Sequence, residues 1–202
     1  MIVTDFSVLL FDFFETLDAM GPAEVFGSLP QHYKPGFYSL RGGSVHSTQG
    51  VVVETLPISA MPTGGVLLIP GGRGTRGLVE DDDFMVSLAW LASAAQSVLT
   101  VCTGSGLLAR AGFLDGRKAT GNKISFQWTT EQGPDALWQP RARWVRDGAI
   151  WTSSGVSAGI DMALAFVAEH QGRKTAEGCA THMEYVWNDD PDHDPFARET
   201  AL

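Results

Sequence analysis

The stretch SVLTVCTGSGLLARAG, residues 97–112, decides the fold. Its first part, Ser97 to Val101, is a short apolar run without strict alternation, as in a strand covered on both faces. Its second part, from Gly104 to Gly112, reads as a short helix closed by glycine. Cys102 stands at the junction. A cysteine at a strand-to-helix turn meets unpaired backbone N–H groups and the helix dipole, which favour the thiolate, the nucleophilic form. Free cysteine is also among the most buried residue types, where it only packs. Local context leaves both readings open.

Working outward, three more apolar runs read as strands: FSVLLF (6–11), VVVETL (51–56) and VLLIP (66–70). Helix-like segments lie between them. PAEVFGSL spans 22–29, and DDDFMVSLAWLASAAQ (81–96) repeats Phe84, Leu88 and Leu91 at helical spacing behind an acidic opening suited to a helix N-terminus. The segment 28–50 looks less regular. Downstream, FLDGRKATGN (113–122) is a turn into a short strand, and ARWVRDGAIWTSS (142–154) is a hairpin turning at Asp147-Gly148. SAGIDMALAFVAEHQG (157–172) and KTAEGCATHMEYVWNDD (174–190) read as the last two helices. Strands alternating with helices predict a doubly wound α/β fold, and 202 residues fit one domain spanning 1–202.

The 14 Lys and Arg against 23 Asp and Glu give a net charge of −9. That balance disfavours nucleic acid and anionic membrane as partners, because both are held by cationic side chains. The N-terminal MIVTDFSVLLFDFFETLD lacks the basic start of a leader, and no apolar run approaches the ~18 residues of a membrane span. The 2 cysteines, Cys102 and Cys179, form no CxxC pair, so neither a disulfide framework nor a zinc knuckle is indicated. A cytoplasmic protein without metal or organic cofactor is the expectation.

In open α/β sheets, ligands sit beyond the carboxyl ends of the strands. Three segments qualify: FDFFETLDAMGP (11–22), IPGGRG (69–74) and CTGSG (102–106). The loop PGGRG lacks phosphate-loop spacing and reads as a tight turn whose Gly71 and Gly72 N–H groups point into the cleft, where they would stabilise charge beside a nucleophile. A cysteine nucleophile needs an acid–base partner, and the first loop offers Glu15, Asp18 and Glu24. His32, His46, His170, His182 and His193 all fall where no strand-end dyad with Cys102 is evident. Cys179 and His182, three residues apart on one helix, read as packing, since two groups without further ligands make a poor metal centre. Phe13, Phe14, Met20 and Trp128 suit either an apolar pocket wall or core and subunit contacts.

With these residues in place, the chain resembles the ThiJ/PfpI branch of the class I glutamine-amidotransferase-like superfamily. The likeness runs through LLFDFFETLDAMGPAEVF, LLIPGGRGTR, VCTGSGLLARAGFLDGRKAT, WTSSGVSAGIDMALAFV and EYVWNDDPDHDPFA. It implies a flavodoxin-like three-layer α/β/α sandwich with a mostly parallel sheet, a homodimer, and a cysteine at a nucleophile elbow beside an acidic side chain. Within the family the chain is most similar to the isonitrile hydratase branch, which makes Asp18 the carboxylate and Cys102 the nucleophile. The oxyanion donors map to the N–H groups of Gly72 and Thr103, and Gly155 and Val156 match a segment near the cysteine helix. One position departs: many relatives carry histidine where this chain has Asn122, which cannot shuttle a proton.

The resemblance therefore implies a cysteine-dependent hydratase that adds water to an isonitrile to give an N-substituted formamide. Two alternatives stand beside it, a glyoxalase or deglycase acting on 2-oxoaldehydes and a non-enzymatic cysteine redox sensor. A fourth, the sensory half of a transcription regulator, is disfavoured because no helix-turn-helix segment follows DPFARETAL.

Overall fold

The structure, a computed structural model, describes residues 3–197. Ten strands appear: β1 (Thr4–Leu9), β2 (Tyr33–Ser39), β3 (Gly43–His46), β4 (Val52–Pro57), β5 (Val66–Ile69), β6 (Ser97–Val101), β7 (Lys118–Ala119), β8 (Leu137–Trp138), β9 (Trp144–Asp147) and β10 (Ile150–Ser153). The helices are α1 (Thr16–Gly27), α2 (Thr75–Leu78), α3 (Asp82–Ala94), α4 (Gly104–Arg110), α5 (Phe126–Glu131), α6 (Ala158–Gln171) and α7 (Arg173–His182).

Eight strands form one sheet in the order β3-β4-β2-β1-β5-β6-β10-β9. Pairing is parallel except at the two ends, where β3 runs against β4 and β9 against β10. Strands β5, β6 and β10 are buried along their whole length, and β5 is accordingly an unbroken apolar run. With helices on both faces this is the expected flavodoxin-like three-layer sandwich. The chain leaves β1 on one side through β2 and returns on the other through β5, so the strand order reverses between β1 and β5. Loops after these strands and after β6 therefore open onto one crevice.

The core is anchored by aromatic contacts across layers. Phe6 of β1 stacks on Phe26 of α1 at 4.1 Å between centroids, and Phe26 meets Phe166 of α6 edge-on at 5.7 Å. All three are essentially inaccessible, and each contributes about 1.5–3 kcal/mol by burial. Helices α1 and α6 approach closely because Gly21 leaves no room for more: a Cβ there would come within 2.7 Å of Ile160. That contact fixes the helix carrying Asp18.

Several elements differ from the sequence expectation. The helix predicted to begin at Pro22 begins at Thr16, with Pro22 inside it. Buried residues Asp18 and Ala19 dock the first turns, and this packing outweighs the boundary signal of proline. The first strand is Thr4–Leu9 rather than 6–11. Segment 28–50 holds two strands, β2 and β3. A proline within a strand removes a ladder donor, yet β4 pairs with β2 only at Tyr38 and Ser39, so the missing Pro35 N–H falls where β2 has one neighbour. In the hairpin, Asp147 pairs with Ile150, so Gly148-Ala149 forms the turn, with Gly148 at φ 63°.

The last helix ends at His182 and not at 190. Beyond Glu184, at φ 50°, the chain is drawn onto the N-terminal turns of α6. Asp161 accepts the Tyr185 hydroxyl and the Asn188 N–H at 3.0 Å each, and its backbone oxygen accepts the Trp187 indole N–H at 3.2 Å. Arg143 donates to the other carboxylate oxygen of Asp161 at 2.7 and 2.9 Å and lies 3.6 Å from Asp194. These tertiary bonds replace the helical ones. Among the described residues no helix is long and apolar enough to cross a membrane.

Candidate active site

Cys102 occupies the single step between β6 and the turn that opens α4. Its φ is 63°, left-handed backbone that L-residues adopt at a cost of about 1–3 kcal/mol. The surroundings enforce it: Cys102 N–H donates to Ser154 O at 3.0 Å, and its carbonyl accepts the Asn122 N–H at 3.3 Å. Gly104 then runs so close to the end of β5 that a Cβ would reach 2.8 Å from Pro70 O. The sharp turn lifts the sulfur out of the sheet, yet the side chain stays buried, with the residue 6% exposed.

Asp18 comes to the sulfur from the first turn of α1 and is fully buried. Its Oδ2 accepts the Gly71 N–H at 2.9 Å, while Oδ1 has no hydrogen-bond partner among the described residues. Burial pushes its pKa from 3.8 up to about 7; the Gly71 N–H opposes this, nearby Glu15 adds to it, and Cys102 and the Val156 N–H oppose it. Gly71 is glycine because a Cβ would come within 2.6 Å of Thr103 N and 2.9 Å of Asp18 Oδ2.

The thiol behaves differently from its sequence expectation. Thr103 N–H and Asn122 do pull towards thiolate, but burial first and the Asp18 charge second outweigh them, so the Cys102 pKa is pushed well above its usual value. Cys102 and Asp18 thus lie together in one buried cluster, each with its pKa raised above the usual value.

Asn122 Nδ2 donates to Cys102 Sγ at 3.0 Å. Its Oδ1 accepts the Ser125 N–H at 2.8 Å, which settles the amide orientation. Gly155 makes room for this contact, since a Cβ there would overlap the Asn122 amide. Val156, at φ 48°, turns its N–H towards Asp18. Thr103 Oγ1 accepts the Gly72 N–H at 3.0 Å and lies 3.2 Å from Thr75 Oγ1. The Gly72 donor therefore meets the cleft through the Thr103 hydroxyl rather than directly.

The pocket residues divide. Trp128 of α5 leans on Gly106 of α4, where a Cβ would approach its ring to 2.8 Å. Phe13, at φ 63° and 54% exposed, projects outward beside Arg73, while Phe14 is fully buried and Met20 packs on the hydrophobic core. No histidine figures among the groups acting on Cys102. His46 instead sits 3.6 Å from Asp12. Cys179 is buried on α7, with Ser28 Oγ at 3.4 Å. Among the described residues no cluster of three or more His, Cys, Asp or Glu side chains is arranged to hold a metal.

Two parts of this neighbourhood escaped the sequence reading. Arg76 lies with its guanidinium carbon 3.6 Å from the centroid of Trp128, a pairing between segments 52 residues apart that no local pattern reveals. The buried Arg143–Asp161 pair behind the site had one signal, an aspartate in the otherwise apolar AGIDMALAF.

The sequence profile of the DJ-1/PfpI family matches residues 6–169. An isonitrile hydratase of Pseudomonas putida is 33% identical over 178 residues, 88% of this chain and 77% of that protein. An uncharacterized protein in the cpoL 5' region of Streptomyces lividans is 34% identical over 117 residues, 56% of this chain and 83% of its own length. The crystal structure of a ThiJ/PfpI family protein from Pseudomonas syringae superposes with a TM-score of 0.80 at 29% identity, over 96% of this chain and 79% of that one. A switch-point crevice, a strained cysteine after the sixth strand and a profile match over most of the sequence converge: the chain belongs to the DJ-1/PfpI family.

Proposed function

We propose that the protein is an enzyme that hydrates an isonitrile, R–N≡C, to an N-substituted formamide, with Cys102 as nucleophile and Asp18 as general acid and base. The observation that carries this reading is the buried Cys102–Asp18 pair, in which burial lifts the carboxyl to about 7. The 33% identity to an isonitrile hydratase supports the substrate class.

Above pH about 7 the Asp18 carboxyl is ionised while the Cys102 thiol keeps its proton. As substrate enters, the thiol proton passes to the Asp18 carboxylate and the thiolate attacks the isonitrile carbon, forming the S–C bond. Asp18 then delivers that proton to the same carbon, giving a thioimidate, R–N=CH–S. Asp18, again a carboxylate, takes a proton from water as its oxygen adds to the thioimidate carbon. The proton moves to nitrogen, the C–S bond breaks, and the formamide leaves with the thiolate reprotonated. Thr103 N–H and Asn122 Nδ2 stabilise negative charge at sulfur in the first and last steps, whereas the Gly72 N–H is spent on Thr103 Oγ1.

The redox-sensor alternative is less well supported, since sensor thiols are accessible and acidic, whereas Cys102 is buried and its thiol pKa is raised. A glyoxalase-type reaction lacks a histidine at the position of Asn122. The test is disappearance of the isonitrile infrared band with wild type, Cys102→Ser and Asp18→Asn. Turnover by wild type, strongly reduced turnover by Asp18→Asn and none by Cys102→Ser is the expected result. Undiminished turnover by Cys102→Ser overturns the covalent mechanism, and none by wild type removes the substrate.

A further inference from the structure

Arg76, on α2, has no part in the chemistry above. Its planar cation lies flat on Trp128, 3.6 Å from the ring centroid, and Nη1 donates to Thr75 Oγ1 at 3.0 Å. That hydroxyl is 3.2 Å from Thr103 Oγ1, on the residue following Cys102. Trp128 is itself seated on Gly106 of the helix that Cys102 introduces. One face and one edge of the guanidinium are thus fixed two hydrogen-bond lengths from the nucleophile's neighbour. Its charge registers there: burial lowers the Arg76 pKa, and the Cys102 charge opposes that shift.

Four arginines are engaged by acids, and Arg41, Arg73, Arg110 and Arg141 are, like Arg76, without a carboxylate partner among the described residues. Arg117, Arg143, Arg146 and Arg173 each lie within 4.0 Å of a carboxylate, whereas Arg76 pairs with none among the described residues. The carboxylates of the crevice are committed elsewhere, Glu15 to the Gln49 amide and Asp18 to Gly71 N–H. In a chain of net charge −9, this leaves a pre-oriented cation at the crevice with unused donors. A guanidinium has five N–H donors in a planar fork, the geometry that matches a carboxylate.

We propose that Arg76, held flat on Trp128, binds a carboxylate on the substrate and selects small electrophiles that carry one over neutral analogues. This rests on Cys102 being the nucleophile, as read above, and narrows the substrate to carboxylate-bearing isonitriles. Trp128 sets the plane of the fork, so Lys at position 76 retains charge but not the two-pronged geometry.

The experiment compares alkylation of Cys102 by iodoacetate and iodoacetamide, reagents of similar size that differ in charge. In each, the sulfur–carbon bond forms, iodide leaves and the thiol proton passes to solvent. Rates are read by mass spectrometry, with Cys102→Ser as the blank for Cys179. The ratio of the two rates cancels any change in thiolate fraction. The iodoacetate-to-iodoacetamide ratio is expected to fall about tenfold in Arg76→Met and less in Arg76→Lys. An unchanged ratio in Arg76→Met overturns the proposal. Because alkylation needs no hydration, a wild type that turns over no isonitrile yet shows the ratio change removes the hydratase reading and keeps the Arg76 assignment. With turnover, kcat/KM for 3-isocyanopropanoate is expected to fall relative to propyl isonitrile in Arg76→Met; equal losses overturn the proposal.

Discussion

Asn122 donates its side-chain amide to the Cys102 sulfur at 3.0 Å while its carbonyl oxygen is held by the Ser125 N–H at 2.8 Å. A residue that cannot exchange protons thus directs a fixed donor at the nucleophile. Its contribution is to negative charge on sulfur and leaves proton traffic to Asp18.

Removing that donor is expected to lower kcat/KM of Asn122→Ala about 10- to 100-fold, the worth of a hydrogen bond to a charged group, and to move the pH dependence of Cys102 alkylation upward. Gly155→Ala, whose Cβ overlaps the same amide, is expected to reproduce much of the loss. The double variant is expected to lose less than the two single effects combined, because both act through one contact. Full additivity would place Gly155 elsewhere in the mechanism.

The pH–rate profile is expected to rise through an inflection near 7. Below it Asp18 is protonated and cannot accept the thiol proton; above it the carboxylate is ready while sulfur keeps its hydrogen. Asp18→Asn is expected to abolish the inflection and to lower kcat by about 10²–10⁴-fold. A wild-type profile flat between pH 5 and 9 contradicts the assignment.

Asp18 is also expected to trade stability for chemistry. Its folded pKa of about 7 exceeds the unfolded value near 3.8, so the folded state binds more protons between those limits and stability falls as pH rises through them. The integrated cost is about 4 kcal/mol at pH 8. Thermal melts are expected to show Asp18→Asn gaining on wild type from pH 5 to pH 8. A pH-independent difference refutes this.

The tail is pinned by buried charge. Arg143→Met leaves Asp161 and Asp194, both inaccessible, without their cation, and is expected to cost about 3–5 kcal/mol. Denaturant unfolding measures the loss. Limited proteolysis is expected to cut between 184 and 197 in that variant before it cuts elsewhere.

Much of the architecture was legible because periodicity and burial coincide. The run 97–101 is β6 residue for residue, and the acidic opening of 81–96 became the Asp81 cap, whose side chain accepts the Phe84 N–H at 3.0 Å. Strand β2 was hidden by Pro35-Gly36, which local rules read as a break. The C-terminal overextension came from composition alone: KTAEGCATHMEYVW looks helical until Asp161 competes for its polar groups.

By itself, the sequence determined the alternation of strands and helices, the place of Cys102 at a strand-to-helix turn and the candidacy of Asp18, because these depend on residue types near one another along the chain. Only the tertiary structure decided that Asn122 faces the sulfur, that Gly72 spends its N–H on Thr103, that Arg76 lies on Trp128, and that the thiol is pushed up rather than down. Those outcomes depend on distances between segments far apart in sequence and on how completely water is excluded, and both arise when the layers pack.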